Sequence, residues 1–220
     1  LVQDPGAFHR LDDGTLVQGD TRMPPSSTVF DRAHGGQALD LGGDLTMPDL
    51  DALRSEMQSI LPEESRVDYL ADVCARARAA TTRAVFFTGL KTRLGYPGGF
   101  PNWSMVCMTE PDYVHEYHRI VTEATVESIR RLLPRIRGSV DILMMTSADH
   151  GLQEQPILPP ELFRELYVPY YRRINETIHQ IAPEVKSFMH CCGAVYDLIQ
   201  DFASSGFDVL NPVQWPAGGH

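Results

Sequence analysis

The chain has 220 residues, 19 Lys and Arg against 29 Asp and Glu, a formal net charge of −10, and 43% hydrophobic residues. That is ordinary globular composition, long enough to bury a sizeable core and too apolar for a disordered segment. The acidic balance excludes the broad cationic footprint that nucleic acid or an anionic lipid surface requires, and no apolar run approaches the ~18 residues of a membrane span.

The opening LVQDPGAFHR has neither the cationic nor the apolar region of a secretory signal. Residues 1–47 are rich in Gly, Asp and Pro, with short apolar pieces at 14–17 and 28–30. They predict an irregular stretch with one hairpin, turned at Asp12–Gly14. Two helices follow. One begins near Pro48 and runs through Leu50, Leu53, Met57 and Ile60. The other begins after PEES, carries Val67, Leu70 and Val73 as its inner stripe, and ends near Ala80. Residues 1–80 therefore form an N-terminal segment, and 81–220 a run of β/α units.

RAVFFTG (83–89) is too short for a helix and suits a buried parallel strand. A Gly/Pro-rich loop, 95–101, leads to Trp103 and Met105, and a long helix spans 112–133, opened by Pro111 in its first turn. VDILMMT (140–146) is the next strand, followed by the polar loop SADHGLQEQPILP. A helix spans 160–181, with Pro169 predicting a kink or break. VKSFMH (185–190) is a strand, 195–204 a helix, and FDVLN (207–211) a strand after Gly206.

Strand, loop and helix repeated in this way indicate a parallel sheet with right-handed crossovers. The expected fold class is α/β, a (β/α)8 barrel first and a doubly wound open sheet second. A whole barrel typically takes about 250 residues. Only four clear parallel strands are legible, so part of a barrel is expected. The missing initial Met and the ending GGH suggest that both ends are cut from a longer protein. Otherwise the open edge would be hidden against another copy, a homo-oligomer.

Polar residues cluster just after strands, where α/β folds carry their sites. In His190-Cys191-Cys192-Gly193, strand alternation points His190 and Cys192 one way and Cys191 the other. An imidazole and a thiolate are good zinc ligands, although catalytic zinc takes three protein ligands. The other reading is a hydrogen-bonded histidine beside two buried thiols. Adjacent Cys191 and Cys192 do not form a disulfide framework, and Cys74 and Cys107 have no evident reason to join them. A reducing, cytoplasmic setting fits. In the second cluster, 147–153, Asp149 or His150 could serve as acid, base or ligand, with Gln153 close by, in what reads as a loop without a hairpin role. Asn211 and Gln214, in NPVQ, would face the same mouth. His115 and His118 are expected at the surface, and Arg172 and Arg173 on a solvated helix face. Phosphate-loop, dinucleotide-binding and GxSxG patterns are absent.

ADHGLQ, LPPELFRELYVPYYRRINETIH, MHCCGAVYDLI and GFDVLNPVQ, in that order and spacing, resemble the uroporphyrinogen decarboxylase superfamily, particularly its decarboxylase-like and corrinoid methyltransferase members. LGYPGGFPNWSMVCMTEPDYVHEY resembles it more loosely, so the likeness covers residues 83–214. It implies a (β/α)8 barrel with its site at the strand carboxyl ends. In methyltransferase members an HxC pair and a later cysteine hold zinc. His190 and Cys192 match the pair, and the third ligand is expected beyond His220, which leaves this chain a weak zinc binder. The resemblance thus implies zinc-dependent methyl transfer between a corrinoid, free or borne by a corrinoid protein, and a thiol or other acceptor. Two alternatives accompany it. One is decarboxylation of uroporphyrinogen III, a lyase reaction of tetrapyrrole biosynthesis, although the family's N-terminal arginine motif is not found here. The other is a non-catalytic barrel that binds a corrinoid protein.

Overall fold

A computed structural model describes residues 9–19, 21–23, 25, 31–32, 45–90, 92–146, 148–214 and 217. The apolar piece at 28–30 and Ser147 lie outside them. The chain divides into two compact units, Leu1–Asp44 and Leu45–His220.

In the first unit, β1 (His9–Arg10) and β2 (Leu16–Gln18) form the expected hairpin. Gly14 supplies the positive φ of the turn, at 86°, and the Asp13 carboxylate accepts the Thr15 N–H at 2.9 Å. The pairing continues antiparallel through β3 (Thr21–Met23) to β4 (Asp31–Arg32). These two strands went unread in the sequence because two or three residues are too few to show alternation.

The second unit opens with α1 (Leu50–Ser59), capped by the Asp49 carboxylate, which accepts the Ala52 N–H at 2.6 Å. Helix α2 (Glu64–Ala79) follows, burying Val67 and Cys74, two turns apart. Then come β5 (Phe86–Phe87), α3 (Phe100–Thr109), α4 (Pro111–Ile136) and β6 (Ile142–Thr146). Next are α5 (Pro160–Leu166), α6 (Val168–Ile181) and β7 (Lys186–His190). A 3₁₀ turn, Tyr196–Leu198, runs into α7 (Ile199–Ser204), and β8 (Val209–Asn211) follows. Strands β5 to β8 lie side by side in chain order, all parallel, as expected.

Three local expectations need adjustment. Residues 100–109 form a helix, begun inside the loop expected over 95–101 and not foreseen beyond it. Pro101 is harmless in a first turn, and Trp103, Val106 and Cys107 fall at i, i+3 and i+4 to make the buried stripe. The break anticipated from Pro169 falls at Tyr167, between α5 and α6. His118, expected at the surface, is fully buried: its Nδ1 pairs with the Leu166 carbonyl at 2.7 Å, and its ring meets Trp103, Tyr167 and Tyr170 edge-on or tilted. His118 lies on the stripe of α4 that faces α5 and α6, and burial holds its pKa down at about 4. His115 is half-buried against the Tyr170 hydroxyl, while Arg172 and Arg173 are exposed.

The register sorts the parallel sheet into two faces. Leu143, Met145, Ser187 and Met189 are fully buried, the apolar three in one core with α4 and α6. Polar Ser187 is satisfied there by donating to the Asn175 side chain of α6 at 2.6 Å. The opposite face aligns Phe86, Ile142 and Lys186, then Met144, Phe188 and Val209, and finally His190 with Asn211. This second face is half-buried at most and would be the inner wall of a barrel.

Candidate functional site at the carboxyl ends of the parallel strands

The first two residues of the site sit where β7 stops. His190 closes the strand; Cys191 and Cys192 follow it before Gly193 turns the chain at φ 89°. Alternation persists past the strand end, as strand parity predicts. Cys191 is fully buried, accepts the His150 N–H on its sulfur at 3.2 Å, and burial pushes its thiol up to about 12. Cys192 turns the other way, its sulfur 3.4 Å from His190 Nε2. Partial burial raises the Cys192 thiol, and the charge of Asp149 raises it further. On the far side of the imidazole, Nδ1 lies 3.1 Å from Asn211 Oδ1 on β8. An amide oxygen only accepts, so it fixes the proton on Nδ1 and leaves the Nε2 lone pair facing the thiol.

The third residue comes from the loop after β6. Asp149 Oδ1 accepts the Cys192 N–H at 2.7 Å. Donor atoms of Asp149, His190 and Cys192 all lie within 4.8 Å of one another. Gln214 joins from beyond β8, its side-chain oxygen accepting the Gly193 N–H at 2.8 Å. Asp149, Asn211 and Gln214 thus gather around the His190–Gly193 turn, as the strand order requires.

His150, weighed against Asp149 as the reactive residue, points into the core instead. It is 1% exposed, with Tyr96 Oη 2.6 Å from Nδ1 and Tyr171 Oη 2.9 Å from Nε2. Tyr171 donates its own proton to the Leu94 carbonyl at 3.2 Å, so Nε2–H donates to Tyr171 and Nδ1 accepts from Tyr96. Neither ring nitrogen is free, and burial holds the imidazole neutral, with its pKa down at about 3. Gln153 is exposed and makes no hydrogen bond to the cluster. It belongs to a tight turn, closed by the Leu152 N–H on the Gln155 carbonyl at 2.8 Å and by a Gly151–Pro156 bridge, where the sequence read a loop without a hairpin role. Cys74 and Cys107 are buried in the helical layer, away from the pair, and all four thiols are free.

Tyr96 and Tyr171 were not singled out from the sequence, and Gly151 only as a member of the 147–153 cluster. A Cβ on Gly151 would lie 2.6 Å from the Ala194 nitrogen, and one on Gly193 would lie 2.3 Å from the Gly151 oxygen. The two loops therefore touch backbone to backbone. Glycines after two successive strands were the available signal, but their mutual contact depends on strand order.

The donor set fits zinc: a neutral imidazole oriented from behind, a thiol and a carboxylate are each ordinary zinc ligands. Residues 36–213 match the family described as Uroporphyrinogen decarboxylase (URO-D), well over half of the chain. No curated protein matches. Among the described residues, no helix is long and apolar enough to cross a membrane.

Proposed function

The chain belongs to the uroporphyrinogen decarboxylase family, whose fold is the (β/α)8 barrel and whose members are generally enzymes, and from that membership we propose zinc-dependent methyl transfer as its activity. The donors would be a methyl-corrinoid, free or carried by a partner protein, and the acceptor a thiol. The observation that carries this reading is the placement of His190 Nε2 and Cys192 Sγ side by side, 3.4 Å apart, at the mouth of the parallel sheet. Zinc held there would keep an acceptor thiol ionised at neutral pH and so nucleophilic.

The chain's own residues prepare that state. Asn211 holds His190 in the tautomer that offers Nε2. Cys192 is held from its backbone by Asp149, and Gln214 holds the next peptide. The half-buried apolar residues Met144 and Phe188, one layer below His190, suit a neutral reactant and limit water at the reacting carbon. The transfer would pass a methyl cation from the corrinoid to sulfur: the Co–C bond would break with its electron pair left on cobalt as cob(I), the S–C bond would form, and the thiol proton would leave to solvent.

Decarboxylation of uroporphyrinogen III is less well supported, because it requires cations that hold the substrate's carboxylates. No Lys or Arg is hydrogen-bonded within this cluster among the described residues. Lys186, the cation nearest in sequence, stands at the amino end of β7 and pairs with Asp208. Free thiols throughout fit a reducing, cytoplasmic setting.

Zinc content and cob(I)alamin formation from methylcobalamin and a thiol test the reading together. Cys192→Ala is expected to lose both, while Cys191→Ala keeps its zinc. Equal zinc in wild type and both variants would return these cysteines to core packing.

A further inference from the structure

We infer that Asp149 is a metal ligand beside His190 and Cys192, so that this chain brings one nitrogen, one sulfur and one oxygen donor to the site. The inference rests on the zinc reading above. Three features of the molecule converge on it.

Distance comes first. The three donor atoms lie within 4.8 Å of one another. With zinc bonds of ~2.0–2.3 Å, tetrahedral ligand atoms sit about 3.5 Å apart, so closing the cluster needs only small side-chain adjustment. Nitrogen, sulfur and oxygen donors together are an ordinary zinc-ligand set.

Rigidity comes second. The loop bearing Asp149 is tied twice to the turn bearing Cys192: the Cys192 N–H donates to Asp149 Oδ1 at 2.7 Å, and the His150 N–H donates to Cys191 Sγ at 3.2 Å. The His150 ring anchors the next position between Tyr96 and Tyr171, and Gly151 abuts Gly193. Asp149 therefore has little freedom to leave the pair.

Charge comes third. Among the described residues, Asp149 forms no ion pair with Lys or Arg, unlike Asp141 with Arg78 and Asp208 with Lys186. A divalent cation beside Asp149 would meet an unpaired carboxylate on one side and a sulfur donor on the other.

Cobalt(II) and zinc binding to the 220-residue chain test this, with D149A, D149N, H190A and C192A measured beside it. Wild type is expected to bind one cobalt with a near-ultraviolet sulfur-to-metal band. D149A and D149N should each lower affinity by about tenfold or more, the order seen when a group supporting a metal site is removed, and should keep the sulfur band at saturation. C192A should lose the band. Asparagine retains an oxygen for the Cys192 N–H but not the charge, so it would rescue a residue that merely positions the turn. Wild-type affinity in D149N, alongside losses in H190A and C192A, would overturn the inference and leave the His–Cys zinc reading standing. A folded wild-type chain that binds neither metal would overturn the inference, because three ligands from this chain would suffice to hold one.

Discussion

The two ends of the parallel sheet use the same device to opposite purposes. At the amino end, Asp141 accepts the Val85 N–H at 2.6 Å and Asp208 accepts the Ser187 N–H at 2.8 Å, each tying one strand to the next. At the carboxyl end Asp149 accepts the Cys192 N–H in the same way. The difference is the company. Arg78 pairs with Asp141, and His179 and Lys186 pair with Asp208. Asp149 faces a thiol and an imidazole instead. A carboxylate between strands stabilises the fold when a cation accompanies it, and becomes available to a ligand when none does.

The protonation of the amino-end pair follows that company. The Val85 N–H is the largest influence on Asp141 and holds its carboxyl below the usual range, with Arg78 adding to it. Burial works against ionisation of Asp208, but the Ser187 N–H, His179 and Lys186 outweigh it and the net shift is downward.

The largest expected effect comes from breaking the carboxyl end. Gly193→Ala combines a φ of 89° with a Cβ 2.3 Å from the Gly151 oxygen, so the two loops must part. A loss of about 3 kcal/mol or more is expected in urea unfolding, together with loss of metal binding. A variant of wild-type stability would show that the loops do not touch.

At low pH the comparison must first be separated from histidine burial. His118 has a folded pKa of about 4, below its unfolded value of about 6.5. Its contribution is complete above about pH 6.5 and is lost progressively between there and pH 4, about 3 kcal/mol in all. His118→Gln should reduce the slope of that part of the stability–pH curve, leaving the share that belongs to buried His150. An unchanged slope would place the proton uptake elsewhere.

Asp208→Ala is expected to cost about 1–2 kcal/mol at pH 7, because the Ser187 N–H and Lys186 both lose their partner. Its folded pKa is lowered, so this contribution is present above the unfolded carboxylate value and disappears as pH falls through the folded one. Metal affinity should be unmoved.

The smallest stability change, under about 1 kcal/mol, is expected for Asp149→Ala, which removes one exposed acceptor. The comparison fails if Asp208→Ala weakens metal binding as much as Asp149→Ala does.

The sequence by itself determined the four parallel strands, the helices between them other than α3, and the opposite facing of His190 and Cys192 against Cys191. Those properties rest on short-range periodicity, alternation in strands and the 3.6-residue stripe in helices, which neighbouring residues carry. It also marked 147–153, 190–193 and 211–214 as one mouth, because parallel strands all end on one side of a sheet.

Only the tertiary structure decided which member of each cluster faces that mouth. Asp149 and His150 are adjacent polar residues in a loop, where no period assigns a side. Burial between Tyr96 and Tyr171, from a distant loop and a helix, drew the histidine inward and left the carboxylate beside Cys192. His118 likewise looked like a surface residue until α5 and α6 covered its stripe of α4. Gly151 and Gly193 are 42 positions apart in the numbering, and their contact exists only because β6 and β7 are neighbours. Such pairings depend on long-range packing, which local sequence pattern does not encode.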